Sequence, residues 1–134
     1  MSAGDWDARS SETDLGIRTG SYGEPVMTVA KIAELNDQLR KHGTGNGRVM
    51  VTRSIRDLGP EFELAALLKV RAFDAFTADN NPHGERDYGS FDLQERRVLW
   101  KIDYYNPSLT GGSEDPSDPL QTCRVLTIML AEDY

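Results

Sequence analysis

From Thr28 to about His42 the apolar residues Val29, Ile32, Leu35 and Leu39 recur at helical spacing and form one stripe of an amphipathic helix. Thr28 suits the cap, and Arg40, Lys41 and His42 occupy the last turn, where positive charge complements the helix dipole. Gly43, Gly45 and Gly47 then stop the helix. A phosphate-binding loop runs strand, glycines, helix and ends in Lys-Ser/Thr; here the order differs and the signature is missing, so these glycines read as a flexible turn. Arg48 to Ile55 alternates, with Val49, Val51 and Ile55 on one face and Arg48, Met50, Thr52 and Ser54 on the other. Arg53 is the misfit on the apolar face. Pro60, followed by Glu61 and Glu63, opens a second helix expected to reach Phe76. Its wide apolar face would hold Phe62, Leu64, Ala66, Leu67, Leu68, Val70, Phe73 and Phe76.

Beyond this helix the period changes to two. Asp87 to Leu93 and Arg97 to Tyr105 read as strands joined by a tight Gln94-Glu95-Arg96 turn. In the second strand Val98, Trp100, Ile102 and Tyr104 alternate with Leu99, Lys101, Asp103 and Tyr105. After a long loop, 106–121, the run Thr122 to Ala131 is apolar on both faces, as a central strand would be. These elements predict an α+β domain: a mainly antiparallel sheet of about four strands with two helices packed on one face. The domain would cover 27–134. Residues 1–26, rich in Ser, Gly, Asp and Glu without apolar period, read as a disordered acidic tail in which Trp6 stands alone between two aspartates.

Charge narrows the partners. The 134-residue chain carries a net charge of −7, which argues against direct binding of duplex DNA and leaves a protein with a basic surface as the expected partner. Residues 27–73 hold five acids and eight bases, whereas residues 74–134 hold twelve acids and five bases, so an acidic surface is expected from the second half. The alternative is that the two halves neutralise each other in the fold. Cys123 has no partner for an internal disulfide and lies in an apolar strand, which suggests a packed thiol in a reducing cytoplasm. No apolar run is long enough to span a bilayer, so no membrane association is expected.

The densest polar chemistry lies between Phe76 and Phe91, at the junction of helix and sheet. Asp79, Asn80, Asn81 and Pro82 are turn formers, and His83-Gly84 would continue the turn. Were the following residues extended, His83, Glu85 and Asp87 would point the same way, an imidazole and two carboxylates fit for a divalent metal or for acid–base work. The spacing is no specific metal motif and no nucleophile accompanies it, so neither a metal nor a cofactor is expected. The other readings are a structural turn or a partner-binding loop formed by Asp79, Asn80, His83, Glu85, Arg86 and Asp87. Lys101, Asp103 and Tyr105 share a strand face and read as cross-strand pairs or as a polar groove beside His83. Glu114, Asp115 and Asp118 lie on the long loop, split by prolines and without calcium-loop spacing, and form a candidate acidic docking patch.

Three runs, Phe73 to Gly89, Trp100 to Tyr105 and Arg124 to Tyr134, resemble a bacterial family of unknown function, the one numbered 3768. The resemblance extends over roughly Ile32 to Tyr134. It implies a setting among accessory genes of plasmids and integrated elements, hence a role in countering host defence, but no chemistry. In the family pattern a second histidine often stands where this chain has Arg86, so a metal site needing both would be incomplete here. Sequence thus favours a non-enzymatic, cytoplasmic interaction protein that docks on a basic, nucleic-acid-handling host complex. The alternative is a small metal-dependent or acid–base enzyme using His83, Glu85 and Asp87.

Overall fold

The computed structural model describes residues 24–134. Helix α1 spans Glu24–His42, strand β1 Gly47–Val51, a short helix α2 Arg53–Asp57 and helix α3 Pro60–Ala72. Strands β2 (Tyr88–Leu93), β3 (Arg96–Tyr105) and β4 (Cys123–Leu130) follow, and a 3-10 turn, Ala131–Asp133, ends the chain. The sheet order is β1-β4-β3-β2. β4 is parallel to β1 and antiparallel to β3, and β2 pairs antiparallel with β3. The fold is therefore α+β, with a four-stranded, mostly antiparallel sheet and two main helices. Of the tail read over 1–26, residues 24–26 belong to α1 and the rest lies outside the described residues.

The core follows from period and register. Val98, Trp100, Ile102 and Tyr104 of β3 stand opposite Leu130, Ile128, Leu126 and Arg124 of β4, so one sheet face is apolar over most of its length. Ile32 and Leu39 of α1, Ile55 of α2 and Phe62, Ala66 and Val70 of α3 join the same buried cluster. Both main helices thus lie on one face, and Trp100 at the centre is fully buried. Gly89 of β2 faces Trp100 across the strand pair because nothing larger fits. A methyl group there would come within 2.5 Å of the indole Nε1 and 2.7 Å of the Phe73 ring.

Several boundaries differ from expectation, each for a local reason. The strand expected over Arg48–Ile55 ends at Val51, because residues 53–57 turn helical. This resolves the misfit: Arg53 opens α2 in solvent while Ile55 is buried from the helix. Helix α3 stops at Ala72, short of Phe76; Phe73 turns extended but still buries its ring, and Phe76 packs edge-on against it at 5.0 Å. Leu64 and Leu68 are more than half exposed, so the apolar face of α3 is narrower than its composition suggests.

The β2–β3 turn has two residues, Gln94 and Glu95, since Arg96 already pairs with Leu93. Both turn residues have positive φ, 51° and 66°, as a two-residue hairpin turn of the primed type requires. Neither is glycine or asparagine. The double change Gln94→Asn, Glu95→Gly is therefore expected to raise stability by about 1 kcal/mol. Urea denaturation of the variant beside the parent protein checks this.

Candidate functional site

The segment from Thr77 to Arg86 is folded into turns and not extended. Asn80 folds its first part: its Oδ1 accepts from the Thr77 amide (2.8 Å), and its Nδ2 donates to the Ala75 carbonyl (3.0 Å). Asn81 folds the second, accepting from the Arg86 amide at 2.8 Å. Gly84 (φ 73°) and Arg86 (φ 56°) both adopt left-handed backbone. The alternation that would have aligned His83, Glu85 and Asp87 is therefore broken. His83 is exposed, Glu85 is buried and Asp87 is half-buried, its carbonyl accepting from the Ile102 amide at 2.9 Å. Among the described residues no group of three His, Cys, Asp or Glu side chains could hold a metal ion.

Glu85 turns inward to a polar network that joins four parts of the chain. Its Oε1 accepts from the Tyr104 hydroxyl at 2.8 Å. Asn36 of α1 donates from Nδ2 to the Tyr104 hydroxyl (2.8 Å) and to the Glu85 carbonyl (2.9 Å). The Oδ1 of Asn36 accepts from Nε of Arg124 at 2.8 Å. Arg124 also donates to the Pro116 carbonyl, and its guanidinium lies 5.3 Å from the Tyr104 ring centroid. Burial lowers the Arg124 pKa from its ordinary value, while Tyr104, Glu85 and Asp115 favour the charged form. The network fixes the candidate loop to α1, to the ends of β3 and β4, and to the long loop.

A second buried cation lies beside it. Arg40 is sealed from solvent and donates from Nη1 to the Val70 and Phe73 carbonyls, each at 2.9 Å. It therefore closes the C-terminal end of α3; the expectation that it would serve the dipole of its own helix does not hold, because its stripe faces the core. Asp37 accepts from Arg40 at 3.1 Å and from Arg86 at 2.9 Å. Both guanidinium groups lie 5.4 Å from the Phe76 ring centroid. Arg86 thus has a structural partner in α1.

The remaining candidates lie elsewhere. Lys101, Asp103 and Tyr105 share the sheet face opposite the one that carries Tyr104. Lys101 Nζ donates to Asp103, whose side chain is buried. The long loop is braced. Ser113 donates its amide to the Tyr104 carbonyl (3.1 Å), and its hydroxyl lies 2.7 Å from that of the buried Thr122. Asp115 accepts from the amide and hydroxyl of Ser117. Asp118 accepts from the Gln121 side chain and the Leu120 amide, which together hold its carboxyl below the usual range. Of the three acids Glu114 is exposed and the other two are half-buried, and Asp79 is exposed as well.

Asn36, Asp37, Arg40 and Arg124 did not figure among the candidates. Three were visible as polar residues on an otherwise apolar stripe: Asn36 and Arg40 beside Ile32 and Leu39, and Arg124 in phase with Leu126 and Ile128.

No helix among the described residues is long and apolar enough to cross a membrane. No curated protein and no solved structure matches the chain. A family model described as protein of unknown function, DUF3768, matches residues 51–133. That span holds Glu85, Tyr104 and Arg124 and omits α1, which supplies Asn36, Asp37 and Arg40. On this match the chain belongs to the DUF3768 family.

Proposed function

We propose that this chain is a binding protein whose acidic surface docks on a basic protein surface, such as that of a nucleic-acid-handling complex. The observation that carries the reading is where the charge of the second half lies. Between residues 74 and 134, seven acids are exposed (Asp74, Asp79, Asp92, Glu95, Glu114, Glu132 and Asp133) against three exposed bases, Arg86, Arg96 and Arg97. Burial therefore does not remove the excess of this half, while residues 28–73 expose seven bases against three acids, so the two signs fall on different parts of the chain. An excess of exposed carboxylates steers association with a basic partner and repels nucleic acid itself. The accessory-gene setting implied by the family resemblance suits an inhibitor of host defence, anti-CRISPR-like or anti-restriction. The alternative of catalysis by His83, Glu85 and Asp87 has less support, since Glu85 bonds Tyr104 inside the fold while His83 faces solvent.

The test begins with a partner captured from the native host and identified by mass spectrometry. Asp115 and Asp118 support their loop, so the variant spares them and changes Asp79→Asn, Glu95→Gln and Glu114→Gln. Its association rate should fall several-fold at low salt, and the difference should shrink as salt screens the field. Rates equal to those of the parent protein across the salt series would refute electrostatic docking.

A further inference from the structure

Arg124 leaves one part of its guanidinium unaccounted for. Nε is taken by Asn36 and Nη2 by the Pro116 carbonyl. Nη1 has no hydrogen-bond partner among the described residues, and it is not one of the sealed, unpartnered atoms. Arg124 as a residue is 4% exposed, and it is among the residues lining a pocket of about 200 Å³ between the end of α1 and the long loop. Leu35, Leu39 and Pro119 give this pocket apolar walls; Gln38, Thr44 and Asn46 edge it with polar groups. The pocket is braced, since Asn46 Nδ2 donates to the Pro119 carbonyl and the Asn46 carbonyl accepts from the Arg124 amide. The carbonyls of Gln38 and Leu39, at the negative end of α1, already accept from Thr44 and Gly43.

We infer that this pocket is a binding site for a small aliphatic carboxylate, its acid group on Arg124 Nη1 and its stem against Leu35, Leu39 and Pro119. A guanidinium mostly withdrawn from water, with unused N–H donors, pairs strongly with a planar carboxylate. The volume corresponds to roughly six or seven waters at about 30 Å³ each, which suits an acid with a short branched stem. The same chemistry is offered by a free short-chain acid and by the C-terminal residue of a protein. The inference is independent of the docking surface, which lies on other residues.

The test is an NMR titration of the full chain with isobutyrate, isobutyramide and N-acetylvaline, followed on the Leu35 and Leu39 methyls and the Asn46 amide. Isobutyrate should bind saturably with a Kd on the order of millimolar. Isobutyramide, the neutral isostere, should bind at least about tenfold more weakly. Tighter binding of N-acetylvaline than of isobutyrate supports the site with a chain terminus as the natural ligand; the reverse order supports it with a free acid. Arg124→Gln would also disturb Asn36 and Pro116, so the deciding variant is Gln38→Trp, which fills the pocket from an exposed helix position. It should abolish the isobutyrate shifts while the rest of the spectrum stays folded. Isobutyrate shifts equal to those from sodium chloride at the same ionic strength, or shifts that survive in Gln38→Trp, would overturn the proposal.

Discussion

Trp100→Ala is expected to cost about 3–5 kcal/mol, a loss large enough to threaten the fold. The indole is fully buried at the centre of the sheet, between the helices and Gly89. Phe73 and Phe76 meet it edge-on, with ring centroids at 5.5 and 6.1 Å. The Arg40 guanidinium lies 5.2 Å from its ring. Truncation removes these contacts together, and rigid neighbours on both sides prevent the cavity from collapsing. Its Nε1–H has no partner, so no lost hydrogen bond enters the sum. Urea unfolding followed by circular dichroism measures the effect; a loss below about 1 kcal/mol would mean that Trp100 does not anchor the core.

Arg40→Met is expected to be nearly as damaging, at about 3–4 kcal/mol. Methionine keeps much of the apolar stem and removes the charge and the donors. The Val70 and Phe73 carbonyls then lose their buried partner, and α3 loses the cation at its C-terminal end. Asp37 keeps Arg86, which limits the damage on that side. Thermal unfolding of Arg40→Met beside Arg86→Met separates the two cations. The first should lower Tm by many degrees, and the second, at a half-exposed position, by few.

The sheet was legible because β3 keeps a period of two, and its register on β4 places the even-numbered apolar residues of both strands on one face. The helical stripe of α1 was equally plain. The end of β1 was not: Thr52 to Ile55 alternates like a strand, but four residues cannot distinguish that pattern from one turn of helix, and the burial of Ile55 from α2 decides it. The candidate site was half legible. Turn chemistry marked Asp79 to Asn81 correctly as a folded loop, yet whether Glu85 faces in or out depends on the left-handed backbone at Gly84 and Arg86. Its partners Asn36 and Arg124 lie 49 and 88 positions apart from Glu85 and from Asn36 respectively, beyond the reach of local pattern. The long loop misled for a related reason. Its acids read as a docking patch, but its serine, threonine and aspartate side chains bond one another or nearby backbone and hold the loop.

The account depends most on Glu85 being engaged inside the fold, where it ties the candidate loop to β3. A double-mutant cycle between Glu85→Gln and Tyr104→Phe measures that tie directly. The two residues share a buried 2.8 Å hydrogen bond, so a coupling energy of about 1–3 kcal/mol in urea titrations is predicted. Additive losses, with coupling below about 0.5 kcal/mol, would contradict the account and leave Glu85 free to work beside His83.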